Sequence, residues 1–108
     1  MKKLTLKHAI QTAKLIKAAD MKKQVADLIE QATKRGVNKT RLGIDITMTL
    51  VDVMANDEVE AKLYDLLSDI FETKAEELSL EALAENISKL VKENDVKRFF
   101  KLVEKSTQ

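Results

Sequence analysis

Side chains that could perform acid–base or metal chemistry are few in this chain, and they form no recognisable motif. His8 is the only histidine and there is no cysteine, so the chain offers no thiolate and no pair of histidines for a metal ion. The candidate carboxylates are Asp45, Asp52, Asp65 and Asp69. Because 34% of the residues are charged, we interpret these carboxylates as solvated faces of helices and His8 as structural or solvated.

Motifs for phosphate binding are also missing. Gly36 and Gly43 are the only glycines, which leaves no glycine-rich loop to surround a phosphate group. We therefore predict that the chain is not an enzyme and that it uses neither a cofactor nor a metal.

A basic cluster follows the second predicted helix and suggests nucleic-acid binding as one function. Its members are Lys34, Arg35, Lys39 and Arg41. The string ATKRGVNKTRL superficially matches a DNA-reading helix-turn-helix, but polar residues occupy Gln31, Arg35 and Asp45, where that motif needs apolar ones. We interpret the cluster as a solvated basic corner. A small nucleic-acid-binding or regulatory protein that uses the basic N-terminal third is kept as the alternative function.

Two of the three phenylalanines are adjacent near the C-terminus and share a helical stripe with two valines. The stripe consists of Val96, Phe99, Phe100 and Val103, spaced i, i+3, i+4 and i+7. One hypothesis makes it a lid on the core, in which each buried ring contributes about 2–3 kcal/mol. The other leaves the stripe partly exposed to bind another chain, since aromatic side chains often anchor interfaces.

The composition predicts helices throughout, because the chain has no proline and is rich in leucine. We predict one all-α domain over residues 1–108, a small orthogonal or irregular bundle of about five to six short helices. The first predicted helix is Leu6–Ala19, capped by Thr5, and the second is 21–34, capped by Asp20 and ended at Gly36. The third is 42–54, and the fourth runs from a cap at Asn56 or Asp57 to about Phe71. A short turn with a Thr73 and Glu76 capping box follows, then the helix Leu80–Glu93 capped by Ser79, and a last helix over 96–105.

Residues 42–54 allow two interpretations, a strand or a helix. Alternating apolar residues and many β-branched side chains favour a strand, but no second strand is evident to pair with it. We therefore predict a helix that is buried on two sides. Its first stripe is Leu42, Ile46, Leu50, Val53 and Met54, and its second is Ile44, Met48, Val51 and Ala55. On the first helix we predict an inward stripe of Leu6, Ile10, Ala13 and Ile16.

Charge is sorted along the chain although the formal net charge is only +1. Residues 1–41 carry 11 basic and 3 acidic side chains, residues 42–95 carry 4 and 14, and residues 96–108 carry 4 and 1. Charges sorted in this way can meet within one fold or between neighbouring copies of the chain, and a basic end with an acidic middle suits head-to-tail contact between copies. The sequence has neither a signal-peptide pattern nor an apolar run long enough for a membrane span, so we expect a cytoplasmic protein without membrane contact.

Two segments carry a family resemblance. YDLLSDIFETKAEELSLEALAENISKLVKENDVKRFFK and LTLKHAIQTAKLIKAADMKKQVADLIEQ resemble the small tail assembly chaperones of long-tailed bacteriophages, in helix lengths and apolar positions over about residues 4–104. The resemblance implies a protein that self-associates and coats the tape measure protein until the tail tube protein displaces it. It implies the host cell cytoplasm as the location, and absence from the finished virion.

The resemblance also implies where contacts are made. The C-terminal stripe of Val96, Phe99, Phe100 and Val103 would contact another copy or the client. The basic face of Lys14, Lys17, Lys22 and Lys23 would contact an acidic neighbour. Some members of this family also exist in a longer frameshifted form, and a chain that ends at Gln108 would correspond to the short form.

Overall fold

Six α-helices and one short 3₁₀ turn make up most of the computed structural model, which describes residues 1–107. The helices are α1 (Leu6–Ala19), α2 (Lys22–Thr33), α3 (Lys39–Met54), α4 (Asp57–Phe71), α5 (Leu80–Glu93) and α6 (Val96–Thr107), and the 3₁₀ turn is Ala75–Glu77. Residues 1–107 contain no β-strand. The all-α prediction is confirmed, and so is the helical interpretation of residues 42–54.

Side-chain caps fix where most of the helices begin. Thr5 Oγ1 accepts a hydrogen bond from the His8 amide at the start of α1, and Ser79 accepts one from Ala82 at the start of α5. Asn38 and Asn56 cap α3 and α4 in the same way. Each such cap satisfies an amide that has no partner inside its helix, which stabilises the helix by about 1 kcal/mol.

Two predicted caps are wrong. Asp20 does not cap α2; it ends α1 in a left-handed conformation with φ of 55°, and Met21 precedes α2 without a side-chain cap. The Thr73 and Glu76 capping box does not form either. The 3₁₀ turn begins after Lys74, and the Ala75 amide donates instead to Ser68 Oγ at 2.9 Å.

Gly36 adopts the left-handed conformation that the sequence predicts near the end of α2, with φ of 72°. It lies beyond the capping residue Lys34, which is extended. The turn between α2 and α3 therefore runs over several residues instead of closing directly at the helix end.

One hydrophobic core contains side chains from all six helices. Helix α1 packs most extensively against α6, and α3 packs against α5. The predicted inward residues of α4 and α5 are all buried: Val59, Leu63, Leu66, Leu67, Ile70, Leu83, Ile87, Leu90 and Val91. Their burial confirms the helical periodicity read from the sequence for these two elements.

The first helix departs from its predicted inward stripe. Ala13 and Ile16 are buried, but Leu6 is 58% and Ile10 is 39% exposed. His8 and Ala9 are buried in their place. The contacts of α1 with α6 and α4 therefore select a face rotated away from the one that apolar spacing alone predicts.

Candidate protein-interaction surfaces

Helix α3 exposes three large apolar side chains in a row, which we call the α3 stripe. Ile44 is 51%, Met48 54% and Val51 37% exposed. Their spacing of i, i+4 and i+7 places them on one side of the helix over two turns. The prediction that α3 is buried on both sides is therefore wrong, because only its first stripe packs into the protein.

Close packing on α5 explains which side of α3 is covered. Gly43 and Thr47 are buried, and a β-carbon built on Gly43 would lie 2.9 Å from Ser88 Oγ. The absence of a side chain at Gly43 thus allows the two helices to approach. Thr47 Oγ1 donates to the Gly43 carbonyl at 2.8 Å, so the buried hydroxyl is satisfied within α3. The α3 stripe lies outside this contact and faces solvent.

Acidic side chains flank the α3 stripe. Asp52 is exposed and lies four residues after Met48 and one residue after Val51, so it borders the stripe on the same helix. Asp45 lies on this side as well and is paired at 3.8 Å with Arg41. The surface thus combines an apolar row with a carboxylate edge.

A cleft of about 370 Å³ separates α1 from α4 on another part of the surface. We call it the α1–α4 cleft. It is lined by Gln11, Lys14, Leu15 and Ala18 of α1 and by Lys62, Asp65 and Leu66 of α4. Gln11 Oε1 is buried here without a hydrogen-bond partner, and it is the one such side-chain atom in the described part of the chain. Sequence periodicity gives no signal for this cleft, because it depends on how two helices meet.

The four lysines that the family resemblance assigns to a contact are all exposed. Lys14, Lys17, Lys22 and Lys23 form no ion pair within residues 1–107. Only Lys14 lines the α1–α4 cleft. The basic surface is thus accessible, but the structure brings just one of its members into a concave site.

The C-terminal stripe lies mainly in the core. Phe100 is 7%, Val96 7% and Val103 0% exposed, and Phe99 is half-buried. The two rings meet edge to face with centroids 5.6 Å apart, an arrangement that adds to the stabilisation from burial. This placement agrees with the lid hypothesis. The hypothesis that the stripe binds another chain stays a prediction. Of the two rings, Phe99 has the exposed surface that such a contact requires.

His8 and Asp69 are the two acid–base candidates that the fold brings together. His8 Nε2 lies 2.9 Å from Asp69 Oδ2, and Lys2 Nζ lies 2.6 Å from Asp69 Oδ1. The hydrogen bond from Lys2, followed by that from His8, lowers the pKa of the Asp69 carboxyl to about 2. The same pairing with Asp69 raises the pKa of Lys2. These contacts attach the N-terminal segment to the end of α4.

The row Thr5, His8 and Asp69 has the residue types of a nucleophile, a base and an orienting acid, since Thr5 Oγ1 is 3.2 Å from His8 Nδ1. The Thr5 amide, however, donates to the same nitrogen at 3.1 Å. Because that amide occupies the Nδ1 lone pair, the imidazole has no free basic nitrogen for the hydroxyl. The row works as a capping box at the start of α1.

The remaining acidic candidates do not converge. Within residues 1–107 no group of three or more His, Cys, Asp or Glu side chains could hold a metal ion. The basic cluster lies around a shallow cleft at the α2–α3 turn, where Lys34, Arg35 and Arg41 are exposed. Among the described residues, no helix has the length and apolar character needed to cross a bilayer.

Comparison with known proteins adds no family to these observations. Family models, curated proteins and solved structures all gave no match to this chain.

Proposed function

We propose that this chain is a protein-binding helical module of the tail assembly chaperone type. It would self-associate and hold the tape measure protein during phage tail assembly, in the cytoplasm of the host cell and without catalysing a reaction. The α3 stripe is the observation that carries this proposal. The resemblance of residues 4–104 to small tail assembly chaperones supplies the client and, as a further partner, the tail tube protein.

The α3 stripe suits an amphipathic helix as its occupant. Ile44, Met48 and Val51 offer three apolar contacts over two turns, so a client helix with apolar residues at the same spacing can lie along them. The carboxylates of Asp45 and Asp52 beside the stripe favour basic residues at the edge of the client's apolar face. A tape measure protein is a very long, mostly helical chain, which could present many such segments.

Co-expression tests this proposal directly. The chain and a candidate tape measure protein are expressed together, and the complex is recovered through a tag on the client. Met48→Asp should abolish recovery, because it places a charge in the middle of the α3 stripe. Leu80→Asp is the matched control, since Leu80 is an equally exposed apolar residue, at 60%, on α5.

Both variants should keep the helical content of the parent, because neither side chain is buried. Equal recovery of the client with Met48→Asp and with Leu80→Asp would contradict the proposal. Light scattering on the purified chain measures self-association in the same samples.

Nucleic-acid binding remains the second candidate function, favoured by four exposed basic residues at the α2–α3 turn, Lys34, Arg35, Lys39 and Arg41. If it holds, the chain should retard DNA or RNA in a gel, with an affinity that falls steeply as salt rises. Arg35→Glu should then weaken retardation, and Met48→Asp should not. The two functions are therefore separated by one pair of variants.

A further inference from the structure

The hydrophobic core contains a cavity of about 120 Å³, which we call the core cavity. Side chains from all six helices line it, together with Leu4 from the segment before α1. A cavity engineered into another protein core, at about 150 Å³, is large enough to hold benzene or xenon. Most gaps between core side chains are smaller than a water molecule. The core cavity is thus an unusually large gap, of a size that admits a small molecule.

The lining of the core cavity is almost entirely hydrocarbon. Its side chains are leucine, isoleucine, valine and phenylalanine, with Thr12 and Thr49 as the two exceptions. Thr12 Oγ1 donates to the His8 carbonyl at 2.7 Å. Thr49 Oγ1 donates to the Asp45 carbonyl at 2.8 Å. Because both hydroxyl protons are used within their own helices, the side chains that line the cavity offer no free hydrogen-bond donor. A buried water needs roughly two to four polar partners, so this lining favours a hydrocarbon ligand over water.

Leu4 and Phe99 separate the core cavity from a cleft on the surface, which we call the outer cleft. The outer cleft has a volume of about 270 Å³, and both residues line it as well as the core cavity. Both side chains are half-buried. Leu4 lies outside the helices, where its amide donates to Asn94 Oδ1 at 3.1 Å. Rotation of either side chain therefore gives a ligand a short path from solvent into the core, and such rotations are fast.

We propose that the core cavity binds a compact, uncharged hydrocarbon group, which enters from the outer cleft past Leu4 and Phe99. The group is either a free small molecule or the end of an aliphatic chain whose polar head stays in the outer cleft. Binding supplies contacts that the atoms around the cavity lack, so the ligand stabilises the folded chain. The site is separate from the α3 stripe and does not depend on the proposed function.

Titration of the full chain with benzene, followed by NMR of the methyl groups, tests the assignment. Benzene should produce saturable shifts at Leu67, Ile87 and Val91, which line the core cavity. It should also raise the midpoint of thermal unfolding by a few degrees. Pyridine at the same concentration is the control of equal size. It should not bind, because its ring nitrogen would lose a hydrogen bond to water and find no donor in the lining.

Octanoate distinguishes the two sources of the hydrocarbon group. Shifts at the same methyl groups, together with shifts at Leu102 of the outer cleft, would assign the cavity to the end of a chain whose carboxylate stays outside. Shifts with benzene and none with octanoate would assign it to a free molecule. Either result supports a hydrocarbon site in the core.

Variants connect the signal to the cavity. Val91→Ile adds a methyl group to the lining and should weaken benzene binding by about tenfold, because it occupies part of the volume. Val59→Ile is the matched control, since Val59 is also buried but does not line the cavity, and it should bind benzene as the parent does. Leu4→Ala should speed the exchange of benzene without loss of affinity, because it opens the path from the outer cleft. Circular dichroism verifies that each variant is folded.

Three results would each overturn the assignment. They are absence of saturable shifts with both benzene and octanoate, equal shifts with pyridine, and equal affinity for benzene in Val91→Ile and Val59→Ile. Met48→Asp changes an exposed side chain outside the cavity, so it should bind benzene normally even if it loses its client. Failure at the core cavity and failure of the proposed function are therefore distinguished.

Discussion

Gly43 of α3 lies so close to Ser88 of α5 that a β-carbon on Gly43 would be 2.9 Å from Ser88 Oγ and 3.3 Å from Ser88 Cα. Glycine within a helix costs about 1 kcal/mol relative to alanine. Here the packing of α3 against α5, which a side chain at Gly43 would obstruct, offsets that cost. The same contact decides which side of α3 is buried, and so which side carries the α3 stripe.

Replacing this glycine should therefore lower stability in spite of the better helix propensity of alanine. We expect Gly43→Ala to reduce the free energy of unfolding by about 1 kcal/mol, since the overpacking cost exceeds the gain in propensity. Urea denaturation measures the change. Adding Ser88→Ala should recover most of the loss by removing the nearest atom, and Ser88→Ala alone completes the double-mutant cycle. A Gly43→Ala variant more stable than the parent would show that the helices do not approach this closely.

The pairing of Asp69 with Lys2 and His8 predicts how the stability of the fold depends on pH. The pKa of Asp69 is lowered from 3.8 to about 2, so its ionised form stabilises the folded state above pH 3.8 and this contribution is lost as the pH falls through 2. We expect Asp69→Asn to be less stable than the parent at neutral pH, with the difference shrinking between about pH 4 and pH 2. Thermal unfolding over that range measures it. Asp65→Asn, a change on the same helix at a carboxylate that forms no ion pair within residues 1–107, is the matched control.

His8 should contribute through its hydrogen bonds and not through chemistry. Its ring is buried between the Thr5 amide and Asp69. Truncation removes the acceptor of the Thr5 amide and the partner of Asp69 Oδ2, while Lys2 still pairs with Asp69 Oδ1. We expect His8→Ala to reduce the free energy of unfolding by about 2 kcal/mol. His8→Gln should cost less, because a glutamine at this position can still accept from the Thr5 amide in a capping box. Denaturation measures the free energy of unfolding of both variants. An equal decrease in the two would show that the capping box does not contribute to the effect of His8.

The two phenylalanines should differ sharply in their effect on stability. Phe100 is buried, so Phe100→Ala should cost about 3–5 kcal/mol, whereas the half-buried Phe99 should cost clearly less. An aspartate at Phe100 would unfold the chain and would therefore reveal nothing about interfaces. Phe99→Ser is the better variant for testing self-association by light scattering. Comparable destabilisation by the two alanine variants would contradict the burial difference.

Much of the fold could be predicted from the sequence because it is encoded locally. The starts of α1 and α5 follow from Thr5 and Ser79 as N-caps, and the inward faces of α4 and α5 follow from apolar spacing. These features depend on residues three or four apart in the chain. Their physical basis is the helical repeat and the need to satisfy the first amides of each helix.

The candidate sites could not be predicted in the same way. Asp69 meets His8 across 61 positions of sequence, and the α1–α4 cleft exists only because Gln11 and Lys62 lie on helices that meet in space. No local pattern contains either relationship. The resemblance to tail assembly chaperones pointed to Lys14, but it gave no reason to include Gln11 or Lys62.

The sequence by itself determined that this chain forms short amphipathic helices, with apolar faces to bury and charges to keep in water. Tertiary structure alone decided that α3 buries the face with Gly43 and exposes the one with Met48. Both faces of α3 are apolar, so periodicity cannot rank them. The choice depends on the close fit of Gly43 against Ser88, a contact between residues that are distant in the chain.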